Sequence, residues 1–178
     1  MPSDQLLLQE FDLEMRFTRL HLERVPEGKP DWKPHEKSMS LGWLSTFIAI
    51  LPTWGSLTIE KDSLDPTRPG EAGPQPTLAE TRKELLELFD RNVAAARSAI
   101  AKASADHLAK PWTLLNAGKI VLKQPRMLVW RTYFLNHVIH HRAQLGVYLR
   151  LNDIDVPAVY SDSADEKGGM FMEEARSA

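Results

Sequence analysis

Three histidines, His137, His140 and His141, fall within five residues of this chain. Imidazole is the side chain that most often serves as a metal ligand and that changes charge near neutral pH. His137 and His141 are four residues apart. On a helix that step turns about 400°, so the two rings stack on one face and can hold a single divalent cation between them. Trp130, Phe134, Leu145 and Tyr148 fall at helical steps on the same side, which makes the face an apolar stripe directed at the core. His140 is rotated toward its edge. Two imidazoles set in a buried stripe need a partner, and a metal, a carboxylate or water would each serve. The chain has no cysteine, so a thiolate ligand, a cysteine nucleophile and a disulfide are all excluded.

The elements that must position this pair read as four helices in one domain spanning 1–178, with a tail that frays from about residue 167. The first runs from about Asp4 to Val25, capped by Ser3 or Asp4, with Leu6, Leu13, Phe17 and Leu20 as its main stripe and His21 at the edge of it. The second opens at Ser40, turns Leu44, Phe47, Ile48 and Leu51 inward, and is kinked or ended by Pro52. Asp62 to Pro76 is rich in proline and glycine and forms a long crossover loop. Thr77-Leu78-Ala79-Glu80 has the form of a capping box for a third helix reaching about Ala103, with Leu78, Leu85, Phe89, Ala96 and Ile100 inside. Trp112 to Lys123, around Asn116-Ala117-Gly118, reads as a short hairpin. Pro125 opens the fourth helix, which ends near Leu151. Its back is also apolar, at Leu128, Leu135, Ile139 and Leu149, and that stripe suits a subunit contact. The expected fold class is therefore all-α: a four-helix bundle with a long crossover and a short hairpin before the last helix.

Composition narrows the function classes. The chain has 178 residues, 43% hydrophobic and 26% charged, with a formal net charge of −2. No basic block offers an electrostatic footprint for nucleic acid. The amino terminus lacks the pattern of a signal peptide, and no apolar run approaches the roughly 20 residues that span a bilayer, so the expected setting is the cytoplasm, without nucleic-acid or membrane partners. There is no glycine-rich phosphate loop, no His-Glu-x-x-His run and no serine-nucleophile motif.

The run His140-His141-Arg142-Ala143-Gln144-Leu145, followed by Tyr148-Leu149-Arg150, then Val156-Pro157, Tyr160 and Ser163-Ala164-Asp165-Glu166, resembles the DinB-like (YfiT-like) family of metal-dependent enzymes. That family is a group of small helical proteins named for DNA-damage induction. Trp32 to Trp54 and Pro111-Trp112-Thr113-Leu114 share in the likeness, which spans nearly the whole chain. Ala143 stands where the family usually has glycine, and Ser161-Asp162 where it has Gly-Pro.

The resemblance implies a helical bundle, often homodimeric, with a divalent metal held by three histidines. Two of them match His137 and His141. The third belongs to a stretch that here reads Leu41-Gly42-Trp43-Leu44-Ser45-Thr46-Phe47-Ile48-Ala49, so Phe47 occupies the ligand position and offers no lone pair. Two readings follow. In one, a substitute such as His21, or His35 or His107 from the loops, completes a zinc or nickel site, and Gln144 on the same face orients a small-molecule substrate. The implied chemistry is then that of a hydrolase or of a transferase of low-molecular-weight thiols, which would suit a chain without cysteines. In the other, the site is metal-free, the two histidines bond each other, Gln144, Tyr148 or water, and the protein is a dimeric binding or stress-related bundle without catalysis. Arg142 points away from the histidines and is expected to pair with the tail acids Asp165 or Glu166. Glu80, Glu84 and Glu87 form a solvated face.

Overall fold

The computed structural model describes residues 3–68, 70 and 77–168, with the side chains of residues 3–5 also outside the description. α1 (Ser3–Leu22), α2 (Leu41–Glu60), α3 (Arg82–Ala101) and a last helical run form the frame. The last run is composite: α5 (Arg126–Val129), a π-helical segment (Trp130–Leu135) and α6 (Asn136–Arg150). In the π segment the Asn136 N–H bonds back to the Arg131 carbonyl, which inserts one residue into the ladder just before the first histidine. A short α4 (Ala105–Ala109) precedes the hairpin. α2 packs on α3 and α6, and α1 packs on α3 and α6, around one hydrophobic core.

The purely helical expectation is incomplete. β2 (Pro111–Asn116) and β3 (Lys119–Pro125) form the expected antiparallel hairpin, and β1 (Ser63–Leu64) joins β2 in parallel, Ser63 opposite Thr113. The hairpin turns at Ala117 and Gly118, both at positive φ. It is clamped by the loop after β1, where the Gly118 N–H donates to Asp65 Oδ2 at 2.8 Å and the Ala117 N–H to Thr67 Oγ1 at 2.9 Å. Leu64, Trp112 and Val129 make a small second core under this sheet. A two-residue strand carries too little periodicity to be read from sequence.

Other boundaries moved for local reasons. Ser40 caps α2 as expected, accepting from the Trp43 N–H, but the helix continues through Pro52, which is buried in the middle of it. Contrary to the expectation that no apolar run is long enough, α2 could cross a membrane by length and composition. Two thirds of that apolar window is buried inside the protein, where α2 serves as the central core helix. The cap of α3 is Thr81, which accepts from the Glu84 N–H at 3.1 Å, four residues beyond the expected Thr77, and Leu78 is exposed. On α1 the inward residues are Leu7, Phe11, Met15, Phe17 and Leu22, while Leu6 is exposed. The expected cap at Ser3 or Asp4 falls among the side chains outside the description. The back stripe of the last helix, expected at a subunit contact, is only partly exposed. Leu135 and Leu149 are fully buried within the chain, and only Leu128 of that set is exposed. The fraying expected from about residue 167 falls chiefly outside the described residues.

Candidate functional site

α6 starts directly after the π segment, and Trp130, Phe134, Leu145 and Tyr148 are all buried, as the stripe requires. His141 lies within the protein at 5% exposure, His137 is half-buried and His140 is exposed. The rings of His137 and His141 meet edge to edge, with Nε2 to Nε2 at 2.9 Å. Nδ1 of His141 lies 2.7 Å from Gln144 Oε1. An amide oxygen only accepts, so the His141 proton sits on Nδ1. His137 is likewise bonded to a carbonyl, that of Tyr133, and the two Nε2 atoms face each other across the 2.9 Å contact. The three side chains form one closed run: His137 to His141, and His141 to Gln144.

The charged form of both rings is disfavoured. Burial is the main force lowering each below the ordinary histidine value. For His137 a backbone hydrogen bond at Tyr133 works the other way, and for His141 the Gln144 bond does. The charge on a neighbouring histidine adds to the lowering in both cases.

Phe47 reaches this pair from α2, as the resemblance implied. Its ring makes edge contacts with His141 at 5.1 Å and His137 at 5.6 Å between centroids. Trp43 stacks on the other side of Phe47 at 4.8 Å. The result is an aromatic wall of Trp43 and Phe47 beside a polar strip of His137, His141 and Gln144, each of the five at least partly buried.

The substitute ligands are not brought to the pair. His21 Nδ1 is tied to the Phe17 carbonyl at 2.9 Å, and its Nε2 faces Gly146 on the opposite side of α6. Gly146 lies nine residues from His137, half a helical turn away in projection. His107 Nε2 bonds the Ile59 carbonyl at 2.8 Å, beside the start of the sheet. His35 is exposed in a turn and accepts from the Lys37 N–H. Among the described residues no group of three or more histidine, cysteine, aspartate or glutamate side chains is placed to hold a metal ion. The donor set therefore does not fit a three-histidine centre: it has two nitrogens, and a benzyl ring fills the third position.

Arg142 does point away from the histidines, but the carboxylate it pairs with is not a tail acid. Its guanidinium is buried and pairs with Glu14 of α1 at 2.7 Å. It also donates to the Tyr160 hydroxyl at 2.8 Å, and that hydroxyl bonds the same carboxylate at 2.8 Å. The tail acids are held by other arginines: Asp165 by Arg150, and Glu166 by Arg24. Ser163-Ala164-Asp165-Glu166 thus acts as the anchor of the tail. Asp165 also accepts from the Val156 N–H at 2.8 Å, Glu166 accepts from the Ala158 N–H at 2.9 Å, and Ser163 Oγ donates to the Val156 carbonyl. The Glu14–Arg142–Tyr160 network was missed in the sequence. Its only trace there is a glutamate amid the apolar residues of α1.

No protein-family model matches the chain, and no curated protein matches it. A solved structure does: the crystal structure of a DinB-like protein, YjoA, from Bacillus subtilis, with a TM-score of 0.65 and 19% identity over 85% of this chain and 95% of that one. At that identity the likeness speaks for architecture, and on it the chain has the DinB-like fold: mostly helical, with a small sheet before the last helix.

Proposed function

We propose that this is a metal-independent binding protein, built as a bundle of the DinB-like type, in which the histidine pair serves as a polar strip for a small organic ligand. The observation that carries the reading is the Phe47 ring, which stands against both His141 and His137 where the family has a third ligand. The third family ligand is replaced by carbon, and two imidazoles alone leave the ordinary three-ligand catalytic arrangement incomplete. Hydrolase or thiol-transferase chemistry through a metal-bound water or thiol is accordingly not part of the reading. What the site retains is an aromatic wall, Trp43 on Phe47, next to hydrogen-bonding groups, the usual make-up of a small-molecule surface.

Elemental analysis of protein purified without a metal-affinity column tests this. The wild-type chain is expected to carry only traces of zinc and nickel, and Phe47→His to gain near-stoichiometric metal that is lost again on adding His137→Ala and His141→Ala. Near-stoichiometric metal in the wild-type chain, lost in the His137→Ala, His141→Ala double variant, would overturn the reading.

A further inference from the structure

The side of α6 opposite the histidine pair carries a second polar group that no other described residue claims. His21 is 3% exposed. Its Nδ1 is committed to the Phe17 carbonyl at 2.9 Å, so the proton sits on Nδ1 and Nε2 is a bare acceptor. Burial pushes the ring down to about 4, with Arg142 and Arg24 adding to the effect and the Phe17 bond opposing it, so the neutral form holds at physiological pH. Buried acceptors are nearly always satisfied. This nitrogen instead opens on a groove of about 560 Å³ between α6 and the tail.

The groove walls are apolar: Val147, Leu151, Val156 and Pro157 line it together with His21 and Gly146. Val147 and Leu151 are 58% and 55% exposed, which is unusual for neighbouring aliphatic side chains on one helix turn. The charged groups at the rim are already engaged. Arg150 holds Asp165, Asp162 accepts from the Gly168 N–H and pairs with Lys167, and Ser163 bonds the Val156 carbonyl. Gly146 is what leaves the nitrogen reachable. A Cβ built there would lie 3.5 Å from His21 Nε2 and 3.6 Å from Val156 Cγ1, ordinary contact distances that would cover the lone pair without strain.

We propose that this groove binds a small neutral molecule with an apolar body and a single N–H or O–H donor, the donor pointing at His21 Nε2. A charged ligand is disfavoured because, among the described residues, no free counter-charge lines the groove. A purely apolar one would leave the buried acceptor without a partner. The site is separate from the histidine pair and does not depend on whether that pair binds metal.

Indole and N-methylindole are suitable probes, since they share a body and differ in the donor. Binding is followed by titration of the full chain, with the His21 Nε2 resonance read in long-range nitrogen–proton spectra. Indole is expected to bind about five-fold more tightly than N-methylindole, the worth of one hydrogen bond to a buried acceptor, and to shift the His21 Nε2 resonance. In Gly146→Ala the preference disappears while the melting curve shows a folded protein. Equal affinity for the two probes, an unmoved His21 resonance, no binding of either, or a preference that survives in folded Gly146→Ala would each overturn the proposal.

Discussion

Acidification from neutral pH should destabilise this protein well before its carboxylates titrate, and His21 gives the size of the effect. In the folded state burial holds its imidazole at about 4, against 6.5 when unperturbed. Between those values the unfolded chain takes up a proton that the folded chain refuses. The unfolded state then binds more protons, and stability falls as pH falls. The loss from this one residue is about 2 kcal/mol at about pH 5 and approaches about 3 kcal/mol below pH 4. For a domain of this length that amounts to roughly 4–8 °C of melting temperature at about pH 5. His137 and His141 are lowered too, chiefly by burial, and act in the same direction. Urea unfolding at intervals from about pH 7.5 to 4 measures the slope, and NMR titration of the His21 ring assigns it. His21→Gln should remove most of the slope while lowering stability at neutral pH. A folded-state titration of His21 near 6.5, or the same slope in His21→Gln, would refute the argument that its burial is the cause.

Three further outcomes follow from the contacts around α6 and the caps. Arg142→Met strands the Glu14 carboxylate, whose side chain is 6% exposed, and should cost about 3–5 kcal/mol in urea unfolding. Adding Glu14→Leu should recover most of that loss, because the penalty lies in the unpaired charge. Asp165 is held at about 2, first by Arg150 and then by the Val156 N–H. A carboxylate depressed in this way anchors the tail above about pH 4 and releases it as pH falls toward 2. Asp165→Asn should accordingly speed limited proteolysis within 153–168 at neutral pH. Thr81→Ala should lower stability by about 1 kcal/mol by removing the cap on α3, whereas Thr77→Ala should change the melting temperature little.

What the sequence made legible was local. The stacking of His137 on His141 and the burial of Trp130, Phe134, Leu145 and Tyr148 follow from helical period alone. The hairpin followed from its turn residues. Phe47 opposite the pair came from the family resemblance, and its ring does contact both imidazoles. The errors arose where a residue's surroundings come from far along the chain. The expected stripe of α1 runs through Leu6 and Leu20, with His21 only at its edge and Glu14 and Thr18 outside it. In the folded protein His21, Glu14 and Thr18 are all buried, and Glu14 can be only because Arg142 meets it from 128 residues away. The same blindness sent Arg142 to the tail acids, whose own arginines, Arg24 and Arg150, lie just as plainly in the sequence.

α6 shows why one helix misled in two directions. From His137 to Gly146 it presents a histidine strip on one side, an arginine on a second and a side-chain-free patch on a third. A helical projection places these three correctly relative to one another, because 100° per residue is fixed by the backbone. It cannot say what each side meets. Phe47 covers the first, Glu14 turns the second into a buried ion pair, and His21 gives the third its open acceptor. Two of those three partners sit on α1, seven residues apart and so on the same face of that helix. Their joint burial against α6 links the ion pair to the groove. Arg142 is one of the charges that keep His21 neutral, so removing it should let the His21 titration midpoint rise toward the ordinary value. The midpoint should be measured in the Glu14→Leu, Arg142→Met double variant, where the destabilisation of the single change is offset. A midpoint unchanged there would mean that Arg142 has no part in setting the proton on His21 and that the two sides of α6 are electrostatically independent.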